Sequence, residues 1–148
     1  MTKIVVGLDP DSKEHGVALY IDGKLNALEN LQLMIVLELV ERLISNYGIE
    51  NILFSIEDVC ANNFVYARNA SNNKKIMAKI GLSIGRCQQS QVEVMRMLEL
   101  MKVKYVLHKP QKGNWAENRN IFKLITGWEK RSNDDQRSAA FFGYLALK

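Results

Sequence analysis

The sequence predicts an α/β fold in which helices flank a five-stranded mixed sheet, with three antiparallel strands followed by two parallel ones. Two apolar runs, residues 4–9 and 52–57, are typical of buried strands, and each ends on a carboxylate. An amphipathic segment lies between them and supplies the crossover that parallel pairing of these two strands requires. The chain has 148 residues, enough for one domain with a substantial core, so we expect a single domain over residues 1–148.

The first third of the chain is expected to form an antiparallel meander followed by a helix. After the first strand and a polar loop, a second apolar run covers residues 16–21. Asp22-Gly23 is a strong hairpin signal, which predicts a third strand over residues 24–28. Apolar residues then follow a 3.6-residue period over residues 33–47 and stop at Gly48, as in an amphipathic helix.

The remainder of the chain alternates between helices and one short strand. Residues 58–73 show no periodicity, are rich in asparagine and are typical of a functional loop. A long helix is expected over about residues 74–102, in which Gly81 and Gly85 would allow close approach to the sheet. A fifth strand at residues 105–108, a short helix within 115–125 and a last helix over about 133–147 complete the prediction. The inner stripe of the long helix is expected to comprise Ile76, Ile80, Ile84, Cys87, Val94, Leu98 and Met101.

Composition argues against several classes of protein. No apolar run approaches the roughly 18 residues that cross a bilayer, and the amino terminus lacks the features of a secretory signal. We therefore expect a cytoplasmic protein with no membrane partner. Cys60 and Cys87 have neither the spacing of a zinc site nor that of a disulfide framework, so both are expected to be buried, reduced thiols.

Charge is distributed unevenly along the chain. Residues 1–58 carry 4 Lys/Arg against 10 Asp/Glu, a balance of −6, whereas residues 59–148 carry 16 against 6, a balance of +10. This asymmetry favours a polyanion such as nucleic acid as the partner of the second part. Lys75, Lys79 and Arg86 lie off the apolar stripe of the long helix and could face a phosphate backbone. A solvated basic surface is the alternative, and charge alone does not exclude it.

The carboxylates that end the two apolar runs are the strongest indication of function. If the strands are parallel neighbours, Asp9 and Glu57 emerge at the same edge of the sheet, where ligands of open α/β sheets bind. Two adjacent carboxylates repel unless a cation lies between them, and Mg²⁺ prefers oxygen ligands. Asp134 and Asp135 open the last helix and offer a third acid. A capping box formed by Ser132 and Asp135 is the structural alternative for that acid.

These residues resemble a known family. Gly7-Leu8-Asp9-Pro10-Asp11-Ser12 with Gly16 is similar to the opening of RuvC-type Holliday-junction resolvases, within the RNase H-like (retroviral-integrase) superfamily. Ser55-Ile56-Glu57-Asp58-Val59 is similar to the second acidic strand of that family. The long helix with its two glycines and the acidic start of the last helix extend the resemblance over the whole chain. The short length is similar to phage or prophage forms.

The resemblance implies an RNase H-like fold, a homodimer and cleavage of four-way DNA junctions with Mg²⁺ or Mn²⁺. Asp9 would anchor the metals, Glu57 would bind one of them, and Asp135 or Asp134 would complete the site. Family members commonly carry a second acid one turn later, where this chain has Ser138. Phe64 would stack on junction bases, and Lys109 and Lys112 flank a strand end near the site. The predicted nucleic-acid contacts are Phe64, Arg68, Lys74, Lys75, Lys79, Arg86, Lys109 and Lys112.

Three other functions are alternatives to junction cleavage. Another RNase H-like nuclease, acting on RNA–DNA hybrids or in RNA processing, would use the same acids. A non-catalytic junction-binding module is favoured by Ser138, because a neutral hydroxyl is a weaker metal ligand than a carboxylate. An actin-like or kinase-type ATPase is disfavoured, since the chain is too short for two lobes and has no glycine-rich phosphate loop.

Overall fold

The computed structural model describes residues 1–61 and 73–147. The strands are β1 Ile4–Asp9, β2 His15–Ile21, β3 Lys24–Leu31, β4 Ile52–Glu57 and β5 Lys104–His108. The helices are α1 Leu33–Tyr47, α2 Lys74–Met101, α3 Arg119–Thr126 and α4 Asp134–Leu145, with single-turn 3₁₀ helices at Ile49–Asn51 and Trp115–Glu117. None of the helices within these ranges is both long and apolar enough to cross a membrane.

The five strands form one mixed sheet in the order β3-β2-β1-β4-β5. β1 pairs antiparallel with β2 and parallel with β4, and β4 pairs parallel with β5, which confirms the predicted arrangement. The β2–β3 hairpin turns at Asp22 and Gly23, both of which have positive φ, as the sequence indicated. β3 extends three residues further than predicted because Glu29, Asn30 and Leu31 continue the pairing with β2.

Helices cover both faces of the sheet and create two apolar layers. α1 and the carboxyl-terminal half of α2 pack on one face, where Val36, Val40, Val94 and Leu98 are buried against the strands. α4 packs on the other face together with Trp115 of the second 3₁₀ helix and the buried side of α3. The sheet edge formed by the ends of β1 and β4 therefore lies between α2 and α4 in the layered arrangement.

The first half of α2 differs from the prediction. From Lys74 to Ser90 no side chain is buried, and Ile76, expected on the inner stripe, is 49% exposed. A helix of 28 residues is about 42 Å long, whereas the longest strand, with 8 residues, spans about 27 Å. The helix is therefore longer than the sheet that would cover it. A Cβ added to Gly85 would meet no atom within 4 Å, so the expected close approach is not made there.

The close approach is made instead between α4 and the sheet. A Cβ on Gly7 would lie 2.7 Å from the Gly143 amide nitrogen and closer still to the Ala139 carbonyl oxygen. Gly16 meets the main chain of Asp135 in the same way, with the carbonyl carbon at 2.6 Å. Glycines at these positions let the backbone of α4 lie directly on β1 and β2.

Two buried hydroxyl groups tie α4 to the strands. The Tyr20 hydroxyl donates to the Ala140 carbonyl and the Ser55 hydroxyl to the Phe142 carbonyl, each at 2.6 Å. Both donors are almost fully buried, so each bond is made in a low-dielectric layer and fixes the position of α4 along its axis. The first turn of α4 is thereby held above the end of β1.

Candidate metal site at the carboxyl edge of the sheet

Asp9 and Glu57 lie side by side at the ends of two parallel strands. Leu8 is paired with Ile56 in the β1–β4 register, and each acid is the next residue of its strand. Gly7 and Ser55, two residues earlier, both contact α4, so strand alternation places Asp9 and Glu57 on the same face. The sequence prediction that the two acids share one edge therefore agrees with the register.

Burial and proximity oppose the simultaneous ionisation of the two carboxyl groups. Burial raises the pKa of Asp9 to about 9, together with the charge and hydrogen bond of Glu57 and the charge of Asp135. Burial also raises the pKa of Glu57, as does the charge of Asp135, whereas its hydrogen bond with Asp9 lowers that pKa. Without a cation, Asp9 therefore holds the proton of the pair, and a cation would have to displace it.

The third acid comes from the first turn of α4. The capping box of this helix is formed by Asn133 and Gln136, with bonds of 2.9 Å and 3.1 Å, so the predicted Ser132–Asp135 box is wrong by one position. Asparagine is as good a cap as serine, and here it also reaches Asn30 of β3. The carboxylate of Asp135 takes no part in the cap. Burial raises the pKa of Asp135, with a further contribution from the charges of Asp11 and Asp134.

Asp134 is engaged elsewhere. Its carboxylate forms an ion pair with the Arg137 guanidinium, with 2.5 Å between nitrogen and oxygen, and the Asp134 side chain is 72% exposed. The Arg137 guanidinium is buried and is fixed by donating to the Ala116 and Ser132 carbonyls. The charge of Asp135, unlike that of Asp134, contributes to the raised pKa values of Asp9 and Glu57. The geometry therefore favours Asp135 over Asp134 as the third acid.

Ser138, one turn beyond Asp135, acts on Asp9. Its hydrogen bond to Asp9 lowers the pKa of that acid, which is the effect expected of a donor to a carboxylate. The Ser138 oxygen accepts from the Asn114 amide at 2.9 Å, which leaves the hydroxyl hydrogen available for Asp9. The Asn114 oxygen in turn accepts from the Ala116 amide nitrogen at 3.0 Å, which fixes the orientation of the side chain.

Two residues near the site were not selected by the sequence analysis. Asp11 contributes to the raised pKa of Asp135, and its amide donates to His15 Nδ1 at 3.3 Å. Burial lowers the pKa of His15, so the neutral ring is the form that accepts this bond. The second is Asn114, described above. Asp11 was visible as a repeated acid after Asp9, whereas the role of Asn114 depends on a contact across 24 residues that no local pattern signals.

The six predicted basic contacts that fall within the described residues are all on the surface. Lys74, Lys75, Lys79 and Arg86 are exposed on the first half of α2, and Lys109 and Lys112 are exposed after β5. Phe64 and Arg68 lie outside the described residues. Cys60 is exposed and Cys87 half-buried, so the expectation that both thiols are buried is wrong. Cys87 approaches Asp11, with its sulfur 3.8 Å from the carboxylate.

The donor set fits a hard cation but is not closed around one. Within residues 1–61 and 73–147, no three side chains of His, Cys, Asp and Glu converge closely enough to form a ready-made metal centre. Asp9 and Glu57 provide two adjacent carboxylates, and Asp135 is near enough for its charge to act on both. Carboxylate oxygens of this kind are the ligands that Mg²⁺ and Mn²⁺ use.

Comparison with known proteins identifies the fold. RuvC from Thermus thermophilus superimposes with a TM-score of 0.54 and 16% sequence identity, over 99% of this chain and 94% of that chain. RuvC of T. thermophilus in complex with a Holliday junction substrate gives the same TM-score and coverage with 12% identity. No protein-family model matches the sequence, and no curated protein matches it significantly. The predicted RNase H-like fold is thus confirmed.

Proposed function

We propose that this protein is a metal-dependent, structure-selective DNA endonuclease that resolves four-way junctions. The observation that carries this proposal is the Asp9–Glu57 pair, whose joint ionisation is opposed by burial and by mutual repulsion. A buried acid pair of this kind at a ligand-binding edge is costly to maintain unless a cation uses it. Asp135, delivered by the glycine contacts of α4, supplies the third carboxylate.

The residues of the site take separate roles in this proposal. Asp9, Glu57 and Asp135 hold Mg²⁺ or Mn²⁺, and Ser138 with Asn114 orients the Asp9 carboxylate by the hydrogen bonds described above. Bound there, such ions would supply an activated water and stabilisation of the leaving oxygen of a phosphodiester. Arg137 is paired with Asp134.

Branched DNA is the substrate that we favour. The fold is that of RuvC, and one of the RuvC structures that it matches is a complex with a Holliday junction. The exposed cations of α2 and of the segment after β5 fit a phosphate backbone, with a net balance of +10 over residues 59–148. Symmetrical cleavage of a four-way junction requires two sites, so we include a homodimer in the proposal.

The decisive experiment replaces one acid without changing its shape. Asp9→Asn is expected to retain junction affinity while the cleavage rate in Mg²⁺ falls more than about a hundredfold, beyond the roughly 10–100-fold loss usual for residues that only orient a ligand. Single-turnover cleavage of a labelled four-way junction and a gel-shift titration measure the two quantities. Asp134→Asn is the matched control and should cleave normally, since Asp134 is paired with Arg137. Unimpaired cleavage by Asp9→Asn would sink the proposal.

The same assay distinguishes other nucleases of this fold. Four-way junctions, linear duplex, RNA–DNA hybrid and structured RNA are compared at equal concentration in Mg²⁺ and in Mn²⁺. We expect the four-way junction to be cut fastest. A faster rate on the RNA–DNA hybrid or on structured RNA would instead assign the protein to the hybrid-cleaving or RNA-processing nucleases of the superfamily.

A second candidate function is a junction-binding module without catalysis. It is favoured by Ser138 at the position of a second acid and by the open arrangement of the three acids over the described ranges. A chain of this kind would bind junctions, but it would neither bind Mn²⁺ nor cleave the DNA. Ser138→Asp is then expected to create metal binding that the wild-type chain lacks. If the wild-type chain already binds Mn²⁺ and cleaves, this second candidate is excluded.

A further inference from the structure

A buried glutamine interrupts the apolar stripe of α2. Only Gln91, Val94 and Leu98 are buried along this helix, and Gln91 is 1% exposed. A buried amide is costly unless its oxygen and nitrogen are both hydrogen-bonded, and an apolar residue would fill this position at no such cost. Gln91 therefore makes bonds that a hydrophobic residue could not make, and those bonds indicate its role.

Both polar atoms of the Gln91 side chain make hydrogen bonds to the segment that follows Glu57, and the nitrogen also contacts the Met95 sulfur at 3.5 Å. Its oxygen accepts from the Val59 amide at 2.7 Å and from the Cys60 amide at 3.2 Å. Its nitrogen donates to the Asp58 carboxylate at 2.9 Å. Because two main-chain N–H groups can only meet an oxygen, the orientation of the amide is unambiguous.

These bonds begin where the sheet stops. β4 ends at Glu57, and the Asp58 amide makes the last ladder-like bond, to the His108 carbonyl at 2.7 Å. The next two main-chain amides have no strand to pair with, and Gln91 accepts from both; each also makes a local bond, Val59 to the Glu57 carbonyl at 3.2 Å and Cys60 to the Asp58 carboxylate at 3.1 Å. A neighbouring glutamine adds to this attachment, because Gln88 Nε2 donates to the Val59 carbonyl at 3.4 Å.

We propose that Gln91 is a positioning residue for Glu57. By clamping residues 58–60 to α2, it fixes the direction in which the chain leaves β4 and so holds the Glu57 carboxylate beside Asp9. This inference rests on the proposed function, because it gives Glu57 a metal to hold. It extends that function by assigning part of the metal affinity to α2, a helix that contributes no acid to the site.

The test replaces the amide by an apolar side chain of similar length. Gln91→Met removes the acceptor that α2 provides for the Val59 and Cys60 amides, which then keep only their local bonds to Glu57 and Asp58, while the volume of the core is retained. We expect its Mn²⁺ dissociation constant, measured by electron paramagnetic resonance or calorimetry without DNA, to rise about tenfold, as for other residues that orient a metal ligand. Cleavage should recover at saturating metal, with the KM for junction DNA unchanged. Gln89→Met makes the same change on the exposed side of α2 and should match the wild-type chain.

A second pair of variants leaves the core untouched. Asp58→Asn removes the charge but keeps an oxygen for the Gln91 and Cys60 amides, whereas Asp58→Ala removes the charge and both of these bonds. We expect Asp58→Ala to bind Mn²⁺ more weakly than Asp58→Asn, and this pair decides the question if Gln91→Met does not fold. Equal affinities for these two variants, or wild-type affinity of a folded Gln91→Met, would overturn the role of Gln91 alone. A wild-type chain that binds no Mn²⁺ would overturn the proposed function as well.

Discussion

The buried acids of this site make the metal-free protein less stable as the pH rises. Burial and the neighbouring acids raise the pKa of Asp9 far above its ordinary value of 3.8. A group whose pKa is higher in the folded than in the unfolded chain stabilises the fold at low pH and loses that contribution as the pH rises. The contribution of Asp9 is complete below about pH 4 and declines progressively towards pH 9.

Asp9→Asn should therefore stabilise the metal-free protein at neutral pH while it abolishes cleavage. The amide cannot ionise, so it avoids the cost of keeping Asp9 protonated in the folded chain at a pH where the unfolded chain ionises, and we expect the free energy of unfolding at pH 7 in EDTA to rise by about 1–3 kcal/mol. Urea denaturation between pH 5 and pH 8 measures the difference, which should grow with pH. Added Mg²⁺ should stabilise the wild-type chain and leave Asp9→Asn unchanged.

Asp134→Asn is again the appropriate comparison, because its carboxylate is exposed and paired with Arg137. Removing that charge should lower stability slightly, with no growth of the effect between pH 5 and pH 8. If Asp9→Asn proved no more stable than the wild-type chain at pH 7 in EDTA, the acids would not be opposed to each other in the metal-free fold.

The sequence was sufficient for the two acids at the strand ends but not for what surrounds them. Asp9 and Glu57 follow from local patterns, since a strand period and a crossover helix are enough to make their strands parallel neighbours. The choice between Asp135 and Asp134 depends on a capping box displaced by one residue and on the ion pair of Arg137. Gln91 and Asn114 act through hydrogen bonds to distant segments, which have no periodic signature.

At the level of elements, the position of α4 decides whether a site exists. The bounds of this helix could be predicted from its acidic start, whereas its position on the sheet could not. Sequence spacing drew attention to Gly81 and Gly85 because they lie one turn apart on a single helix. The glycines that permit contact are Gly7 and Gly143, on different elements, and only tertiary packing brings them together.

Gly7→Ala should displace α4 and with it Asp135. The added methyl group would overlap the Ala139 carbonyl and the Gly143 amide, neither of which can move without shifting the helix. We expect a loss of at least about 2–3 kcal/mol in the free energy of unfolding, comparable to other cases of overpacking. Urea denaturation followed by circular dichroism measures this loss, and Mn²⁺ affinity should fall in any folded fraction.

Gly85→Ala makes the same chemical change where there is room for it. No atom lies within 4 Å of the added Cβ, and alanine is favoured over glycine inside a helix by about 1 kcal/mol. This variant should be as stable as the wild-type chain or more stable. If Gly7→Ala behaved like Gly85→Ala, close packing of α4 on β1 would not be needed to deliver Asp135.

For the molecule as a whole, the acids Asp9 and Glu57 and most of the basic surface lie in different parts of the chain. The acidic part, residues 1–58, contributes Asp9 and Glu57, whereas the basic balance of +10 lies in residues 59–148. α2 carries several of those cations on its first half, in which no side chain is buried. The apolar stripe of that half continues in line with Val94 and Leu98 but is not buried by any described element. An apolar stripe of this kind beside cations is suited to a second copy of the chain that presents its own site to the same DNA.

Ile76→Asp should therefore weaken the proposed homodimer. Ile76 is 49% exposed and lies on the face of α2 that includes Val94, so a charge there would be buried in a contact between two such helices. Leu82→Asp is the matched control: Leu82 is 56% exposed, but at about 100° per residue it lies on another face of the same helix. Sedimentation across micromolar concentrations should show a dimer for the wild-type chain and for Leu82→Asp, and a shift towards monomer for Ile76→Asp.

The monomer should still bind Mn²⁺, because its acids all come from one chain, but should nick one junction strand where the dimer cuts two in concert. Equal dissociation of both variants, or paired cuts by a monomer, would remove the stripe from the proposed interface.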